Sequence, residues 1–292
     1  MKRLFFSDFI RQLYANPLAI RIVRRLHLGA AVKNIYYRLF SPKKREKCLS
    51  LNGIEANFWV NDFEKLRAVE TVFEPGDRDE RKMLLPLLQM LKPGDVAYDV
   101  GASLGVHTIF MAKKVGQKGQ IYAFEPADLS YDSLRQNIAL NNLNNIIPVQ
   151  VALGDRVDEG ILYLNRGIGI GAVSLERREG SDFCQKVKIL PGDSLVQSRG
   201  FPFPKAVKID VEGYEFPVIK GLQKTLIDKN CRLVCCEIHP HLFPDRQEFQ
   251  MIVELLKSLG FQNIKTHNRG SEIQVICHKG DPTDQKESLY WL

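Results

Sequence analysis

Short apolar runs alternate along the chain with segments in which apolar positions recur at helical spacing. Apolar runs bounded by polar residues or glycine predict buried strands, and a period near 3.6 predicts amphipathic helices. The pattern predicts strands over 96–100, 120–124, 147–151, 206–210, 233–237, 261–265 and 273–278. It predicts helices over 79–91, 106–115, 130–141, 216–226 and 247–259. We therefore expect an α/β fold with a mostly parallel sheet covered by helices on both faces.

Three stretches depart from this alternation. Residues 49–60 carry apolar positions on both sides of Asn52-Gly53, a dipeptide typical of a tight hairpin turn, so a short antiparallel hairpin is predicted there. The last two strands have no helix between them, which predicts an antiparallel addition at the end of the sheet. The stretch between the third strand and residue 205 shows no clear pattern and is predicted to be a looped region.

Charge is concentrated at the N-terminus. The net charge is +7, but the first 48 residues carry 12 Lys and Arg against Asp8 and Glu46, which gives +10 there and −3 in the rest. Apolar and basic positions in this segment recur at helical spacing, which predicts a basic amphipathic helical arm over residues 1–47. Such an arm can cap its own domain, lie on an anionic membrane surface, bind nucleic acid or act as a transit peptide.

Composition bounds the class of protein. Of the 292 residues, 45% are hydrophobic and 26% are charged, as in globular proteins. The N-terminal apolar run is broken by Asp8 and Arg11, so no secretory signal is predicted. The longest uncharged window, Gln136 to Gly154, contains five Asn and Pro148, so no membrane span is predicted. The six cysteines form no zinc-binding spacing and are expected to be reduced and mostly buried. A cytoplasmic protein is expected, with peripheral contact to the inner face of a membrane as an option.

The first predicted strand leads into a glycine-containing turn and then a helix. Asp99, Gly101, Ser103 and Gly105 belong to this turn, whose G-x-x-x-G spacing differs from the G-x-G-x-x-G of dinucleotide-binding proteins. It fits an adenosine ligand with an amino-acid tail and no phosphate, as in S-adenosylmethionine. Glu125, 20 residues beyond Gly105, can accept hydrogen bonds from both ribose hydroxyls. Asp155 can accept one from the adenine amino group.

Several runs together resemble the FkbM family of S-adenosylmethionine-dependent methyltransferases. They are Asp99-Val-Gly-Ala-Ser-Leu-Gly105, Phe124-Glu-Pro126, Leu134-x-x-Asn137-x-x-x-Asn141, Lys208-Ile-Asp-Val-Glu-Gly-x-Glu215, Glu74-Pro75 and Glu237-Ile-His-Pro240. The similarity covers about residues 49–278, and the run from Lys208 is its most specific part. The basic arm lies outside it.

The resemblance implies a class I methyltransferase fold with a Rossmann-like, mostly parallel seven-stranded sheet. It implies O-methylation of a hydroxyl on a sugar, a glycan or glycolipid, or a natural-product scaffold. It also places Glu74 with the turn residues at the cofactor. Family members commonly have Asn where this chain has Ser103, whose side chain is also short and able to form hydrogen bonds.

Four polar residues at the ends of the fourth and fifth strands are candidates for the chemistry. Methyl transfer to an alcohol needs the acceptor aligned with the methyl group and its proton removed. Asp210 and Glu212 are expected to point to one side of an extended segment, as are Glu237 and His239 on the neighbouring strand. His239 is the preferred general base, oriented by Glu237 or Glu212. A structural network with Lys208 is the alternative interpretation.

Further possibilities stay open around this set. Asp210 and Glu237 can hold Mg²⁺, although two carboxylates do not establish a metal site. His107 and His241 are expected to be structural or exposed to solvent. The glycine-rich segment 167–171 is either a mobile loop over the acceptor site or a kinked edge strand.

The predicted organisation is a basic segment, 1–47, and a methyltransferase domain, 48–292. Within the domain, 48–92 holds the hairpin and entry helix, 93–280 the Rossmann-like core and 281–292 a tail. The alternative functions are a methyltransferase for RNA or protein, although nucleic acid is the less favoured partner, and a non-catalytic binding protein that retains the fold.

Overall fold

The computed structural model describes residues 46–60, 65–66, 68–69, 72–73, 79–164, 173–174, 183–243 and 248–280. Four parts of the predictions lie outside these residues: the basic arm before residue 46, Glu74, the segment 167–171 and the tail after residue 280. Among the described residues, no helix has the length and apolar character needed to cross a membrane.

The core of the fold is a seven-stranded sheet. Its strands in chain order are β3 (Val96–Val100), β4 (Gln120–Phe124), β5 (Ile146–Val149), β10 (Ala206–Ile209), β11 (Leu233–Ile238), β12 (Asn263–Arg269) and β13 (Glu272–His278). They lie in the order β12-β13-β11-β10-β3-β4-β5. The five strands from β5 to β11 are parallel and follow the Rossmann order, and β13 is antiparallel between β11 and β12. The predicted antiparallel addition is therefore confirmed.

Helices cover both faces of this sheet. They are α1 (Arg81–Met90), α2 (Val106–Val115), α3 (Asp128–Leu140), α4 (Gly192–Arg199), α5 (Glu215–Gly221), α6 (Gln223–Ile227) and α7 (Glu248–Ser258). Apolar side chains of α1, α2 and α3 pack into a core on one face, and those of α4 to α7 pack into a core on the other. The predicted layered α/β architecture is confirmed.

The helix predicted over 216–226 is divided at Leu222 into α5 and α6. Gly221, the last residue of α5, lies so close to the neighbouring sheet that an added Cβ would be 1.6 Å from the carbonyl oxygen of Gly154. The continuous helix was therefore wrong in this detail. The packing of α5 against the short strand at Gly154 depends on a residue without a side chain.

The region predicted to be looped contains a second sheet. Its strands are β6 (Ala152–Gly154), β7 (Asp158–Leu164), β8 (Val173–Ser174) and β9 (Phe183–Pro191), in the order β6-β9-β7-β8. Along β9, exposed Lys186 and Lys188 alternate with buried Val187 and Ile189. The looped prediction was therefore wrong, because β9 has the two-residue period of a half-buried strand.

The predicted hairpin is present as β1 (Glu46–Leu51) and β2 (Ile54–Trp59). Asn52 and Gly53 both adopt positive φ, at 50° and 74°, as a tight turn requires. Side chains of α3 bind the free edge of β2: Asn141 exchanges two hydrogen bonds with the backbone of Asn57, and Asn137 accepts one from the Trp59 amide. Asn137 also donates to the Leu104 carbonyl, so it links the hairpin to the glycine turn.

All six cysteines are free thiols, as predicted, and Cys231, Cys235, Cys236 and Cys277 are buried.

Candidate active site

A cavity of about 280 Å³ opens at the carboxyl ends of β3, β4, β10 and β11. This is the edge at which parallel α/β sheets bind ligands. Gly101, Ser103 and Glu125 line one end, which we call the donor end. The other end, which we call the acceptor end, is lined by Asp210, Glu212, Glu237, His239, Arg269 and Glu272. The predicted site residues thus fall on one cavity, with exceptions given below.

The donor end is formed mainly by backbone. Gly101, Ser103 and Gly105 adopt positive φ, at 78°, 50° and 92°, so the chain turns sharply between β3 and α2. A Cβ on Gly101 would lie 1.8 Å from the Asp210 carbonyl oxygen, so no side chain fits there. Gly105 caps α2 and does not line the cavity. The glycines are therefore required by the turn and by the close approach of the chain after β10.

Glu125 is held against this turn. Its Oε2 accepts a hydrogen bond from the Ser103 amide at 2.8 Å, and its Oε1 accepts one from the Ala127 amide at 2.9 Å. Burial raises the pKa of the Glu125 carboxyl to about 7, although both amides and Lys208 oppose the shift. Each oxygen retains a second acceptor position. The predicted proximity of Glu125 to the glycine turn is therefore present.

Asp99 supports the turn from beneath. It is fully buried, accepts a hydrogen bond from the Thr108 hydroxyl at 2.5 Å and lies 3.3 Å from Lys208 Nζ. Lys208 Nζ also donates to the Gly101 carbonyl at 2.7 Å. Burial lowers the pKa of Lys208, but the charges of Asp99, Asp210 and Glu80 outweigh it and hold this pKa well above its usual range. Asp99 itself does not line the cavity.

Asp155 is not brought to the cavity. It follows β6, and its Oδ2 accepts a hydrogen bond from Lys220 Nζ on α5 at 2.8 Å. This bond is the main reason that the pKa of Asp155 is lowered. The structure therefore places Asp155 in a surface ion pair beside the second sheet.

At the acceptor end, two carboxylates converge on one imidazole. Nε2 of His239 lies 3.9 Å from Asp210 Oδ1 and 3.7 Å from Glu212 Oε2. Glu212 reaches this position from a turn, with φ of 55°, so the expectation of an extended segment through Asp210 and Glu212 was wrong. The two carboxylates nevertheless share one side of the cavity, because Gly213, with φ of 99°, lets the chain reverse before α5.

The other nitrogen of His239 is fixed by Glu215. Nδ1 and Glu215 Oε1 are 2.8 Å apart, and Glu215 is fully buried. Burial lowers the pKa of His239, but the Glu215 hydrogen bond and the charges of Glu215, Asp210 and Glu212 raise it to about 10. The pKa of Asp210 is lowered: burial raises it, and the charges of Lys208 and His239 outweigh that effect. The free protein therefore holds His239 as a cation at neutral pH.

Glu237 does not orient His239, contrary to expectation. Both of its oxygens accept hydrogen bonds from Arg269 Nη1, at 2.5 and 2.7 Å, and Oε1 also accepts one from Gln274. Arg269 Nη2 lies 2.7 Å from Glu80 Oε1. Burial and the charges of Asp210 and Glu80 raise the pKa of Glu237, while Arg269 opposes the shift. Glu237 belongs to a buried ion-pair network, and Glu215 takes the orienting position.

Two histidines that were set aside differ from each other. His107 is buried in α2 and lines the cavity, and its Nε2, 3.8 Å from Glu80, forms no hydrogen bond in the described part of the chain. Burial and the charge of Lys208 lower its pKa, so it is neutral. His241 is exposed in a 3₁₀ turn, Pro240–Leu242. The expectation of a solvent-facing residue holds for His241 alone.

Glu215 and Arg269 contact the predicted site residues His239 and Glu237 but were not themselves predicted as site residues. Glu215 stood in the run from Lys208 without an assigned role, and its membership in that run was the available signal; the structure buries it in the first turn of α5. Arg269 lies at the end of β12, where nothing in the sequence indicates its partners. Each contacts a predicted site residue that is distant in sequence: Glu215 contacts His239, and Arg269 contacts Glu237.

The fold and the cavity define the class of protein: a Rossmann-like methyltransferase fold of class I type, with its ligand cavity at the carboxyl ends of the central strands. The family model described as "Methyltransferase FkbM domain" matches residues 99–262. The chain belongs to this family and is an S-adenosylmethionine-dependent methyltransferase.

Two curated relatives and one solved structure are similar to the chain. Hexuronic acid methyltransferase AglP of Haloferax volcanii is 29% identical over 194 residues, which are 66% of this chain and 74% of that protein. Methyltransferase sdnD of Sordaria araneosa is 33% identical over 116 residues, 39% of this chain and 42% of that protein. A methyltransferase FkbM structure from Methylobacillus flagellatus is 13% identical with a TM-score of 0.45, and the match covers 63% of this chain and 43% of that one.

Proposed function

We propose that this enzyme transfers the methyl group of S-adenosylmethionine to a hydroxyl of a sugar unit, in a free glycan or a glycolipid. The observation that carries the proposal is the division of one cavity into a donor end of turn backbone with Glu125 and an acceptor end of charged side chains. The similarity of the chain to a hexuronic acid methyltransferase supports a carbohydrate acceptor.

At the donor end, Gly101 and Ser103 contribute backbone, and Gly105 and Asp99 keep the turn in shape. Glu125 is the residue for the ribose hydroxyls, because its carboxylate lies at the cavity and each oxygen has an acceptor position left. Asp155 is not included in this proposal, since its carboxylate binds Lys220. Glu74 stays a prediction outside the described residues.

S-adenosylmethionine supplies an electrophilic methyl group on a positively charged sulfur. The protein has to hold the acceptor oxygen in line with that group and accept the hydroxyl proton. In the free protein His239 already carries a proton, so it serves as general base only after deprotonation. Asp210 and Glu212 are therefore the proton acceptors that this structure favours, with His239 between them and Glu215 fixing its ring.

The lining of the acceptor end suits a polyhydroxylated substrate. Arg269, Glu272, Glu80 and His107 surround the cavity beyond the triad of Asp210, Glu212 and His239. Charged groups in a partly closed cavity bind hydroxyls through short hydrogen bonds. A flat apolar acceptor would displace water from these polar groups without replacing the hydrogen bonds of that water, which costs binding energy.

The experiment supplies radiolabelled methyl donor with four acceptors: a uronic-acid glycoside, a neutral hexose glycoside, transfer RNA and a mixed protein extract. We expect label in one of the glycosides and its loss in Asp210→Asn. Label only in RNA or only in protein would contradict a sugar acceptor and identify the labelled class as the acceptor. Absence of label in all four, with donor binding intact, would favour a non-catalytic protein.

We infer further that the basic segment 1–47 brings the enzyme to an anionic membrane surface, where a glycolipid acceptor would lie. Its net positive charge and amphipathic pattern support this. Sedimentation with phosphatidylglycerol vesicles should capture the full chain and leave a chain without residues 1–45 in solution. Equal behaviour of both chains would instead favour a segment that packs on its own domain.

A further inference from the structure

We propose that Asp210, Glu212 and His239 form a binding site for one divalent transition-metal ion at the acceptor end. This set differs from the Asp210 and Glu237 pair that the sequence offered, because the oxygens of Glu237 are bound by Arg269 and Gln274. The site lies beside the position proposed for the acceptor hydroxyl. It rests on the geometry of these three side chains and is tested without donor or acceptor.

The three side chains converge at separations that suit a shared cation. The ligand atoms of Asp210, Glu212 and His239 all lie within 4.8 Å of one another. The distances from His239 Nε2 to the two carboxylate oxygens, 3.9 and 3.7 Å, exceed those of a hydrogen bond. An ion bound about 2.0–2.2 Å from each ligand atom would bridge these gaps.

The imidazole provides the second, independent observation. The His239 side chain is 2% exposed, and its Nε2 forms no hydrogen bond with any described residue. The ring nevertheless points this nitrogen at the cavity and at both carboxylates. This nitrogen therefore faces two carboxylate oxygens across gaps too long for hydrogen bonds, and a bound cation would occupy that position in exchange for the Nε2 proton.

Glu215 completes the arrangement from behind. It holds His239 Nδ1 at 2.8 Å and is itself fully buried. A metal-binding histidine usually donates its other ring N–H to a carboxylate or a carbonyl, which fixes the tautomer and the ring orientation. Glu215 stands where such a positioning residue is needed, and it is not itself a ligand.

The chemistry of the ligands limits the choice of ion. One imidazole and two carboxylates, with no thiolate, suit Mn²⁺, Fe²⁺, Co²⁺ or Zn²⁺, whereas Ca²⁺ prefers oxygen ligands alone. The Asp210 and Glu212 side chains are 27% and 24% exposed, so the cavity side stays open. A cation there has room for acceptor oxygens and would lower the pKa of a bound hydroxyl.

Mn²⁺ is the probe for the test, since its free ion is read directly by electron paramagnetic resonance. Titration of the metal-stripped full chain should show one saturable site, with nitrogen coupling from one imidazole in pulsed spectra. Asp210→Asn and Glu212→Gln should each weaken Mn²⁺ binding at least tenfold. Glu215→Gln should weaken it about 10–100-fold while the nitrogen coupling changes. Circular dichroism checks that each variant is folded.

Glu272→Gln is the matched control, because this carboxylate lines the same cavity and belongs to the other convergent set, Glu237, His239 and Glu272. We expect its Mn²⁺ affinity to equal that of the unmodified protein. Loss of binding in Glu272→Gln with retention in Glu212→Gln would overturn the assignment. Absence of saturable binding would also overturn it and would leave the three residues as an ion-paired triad around a protonated His239. Neither result would affect the proposed donor end, which is measured by donor binding.

Discussion

The two ends of the cavity are built by different means. At the donor end, the backbone of a left-handed turn does most of the shaping, and one carboxylate, Glu125, is held by two amides. At the acceptor end, charged side chains form two adjacent sets of ion pairs, one around His239 and one around Arg269. This difference indicates that the backbone fixes the shape of the donor end. At the acceptor end, the pairing of the charged side chains determines which groups can act on the acceptor.

We expect the two ends of the cavity to control different quantities: the affinity for S-adenosylmethionine and the rate of methyl transfer. Changes at the donor end should alter binding of S-adenosylmethionine, because they alter the turn or its carboxylate. Changes at the acceptor end should leave that affinity intact and lower the rate, since those side chains act on the acceptor hydroxyl. Substitutions at the two ends therefore test this separation.

The largest effect is expected from His239→Gln. Removing the imidazole takes away the group between Asp210 and Glu212, so kcat should fall about 10²–10⁴-fold. Affinity for S-adenosylhomocysteine should stay within about threefold. Steady-state kinetics and calorimetry give both values. His241→Gln, an exposed histidine two residues away, is the control. A parallel loss of donor affinity and rate in His239→Gln would contradict the separation.

Gly101→Ala should abolish donor binding. Its Cβ would lie 1.8 Å from the Asp210 carbonyl oxygen, so β10 and the turn must move apart. Gly200→Ala, at the left-handed C-cap of α4 with φ of 65°, introduces a Cβ at positive φ but with no atom within 4 Å of it. It should cost about 1–2 kcal/mol of stability and keep donor binding. Calorimetry and thermal unfolding compare the two, and equal donor affinities would show that the turn is not part of the donor site.

Glu125 should make stability depend on pH. Burial raises its pKa to about 7 in the folded protein, from 4.5 in the unfolded chain. The unfolded chain therefore ionises first, and the contribution of this carboxyl to stability is full below pH 4.5 and is lost as the pH rises to about 7. The loss is on the order of 1–3 kcal/mol. Urea unfolding at several pH values should show a smaller loss over this window in Glu125→Gln, and an unchanged slope would show that this carboxyl is not the source.

The smallest effect concerns the link between the hairpin and the donor end. Asn137→Ala leaves the Trp59 amide and the Leu104 carbonyl without their side-chain partner, which should cost about 1–2 kcal/mol. Donor affinity should change little, because the turn keeps its own hydrogen bonds. Asn144→Ala, at an exposed position in the loop between α3 and β5, is the control. Equal unfolding free energies in the two variants would show that the hydrogen bonds of Asn137 do not stabilise the fold.

The sequence was most informative where a feature is local. Strands β3 and β4, the helix α2, and the hairpin turn at Asn52 were all predicted, since each depends on residues adjacent in the chain. Gly101 and Gly105 were predicted for the same reason, since a turn between a strand and a helix restricts the residue type at each of its positions. Glu125 was predicted from its place at the end of the next strand, 20 residues beyond Gly105.

The sequence was least informative where the structure joins distant residues. His239 is fixed by Glu215, 24 positions earlier, and Glu237 is bound by Arg269, 32 positions later. No periodicity or spacing states which carboxylate will reach which base. The second sheet was missed because its strands are short or charged on one face, and Glu212 was misplaced because a left-handed residue other than glycine gives little warning in the sequence.

The most direct test of the account is calorimetric titration of S-adenosylhomocysteine into three forms of the protein. We expect a single site whose affinity falls about 100-fold in Glu125→Ala, because the two hydrogen bonds from the ribose hydroxyls to the Glu125 carboxylate are lost. Glu159→Ala, at an exposed position on β7, should match the unmodified protein. Equal affinities in all three forms would show that the ligand lies elsewhere and would contradict the assignment of the donor end.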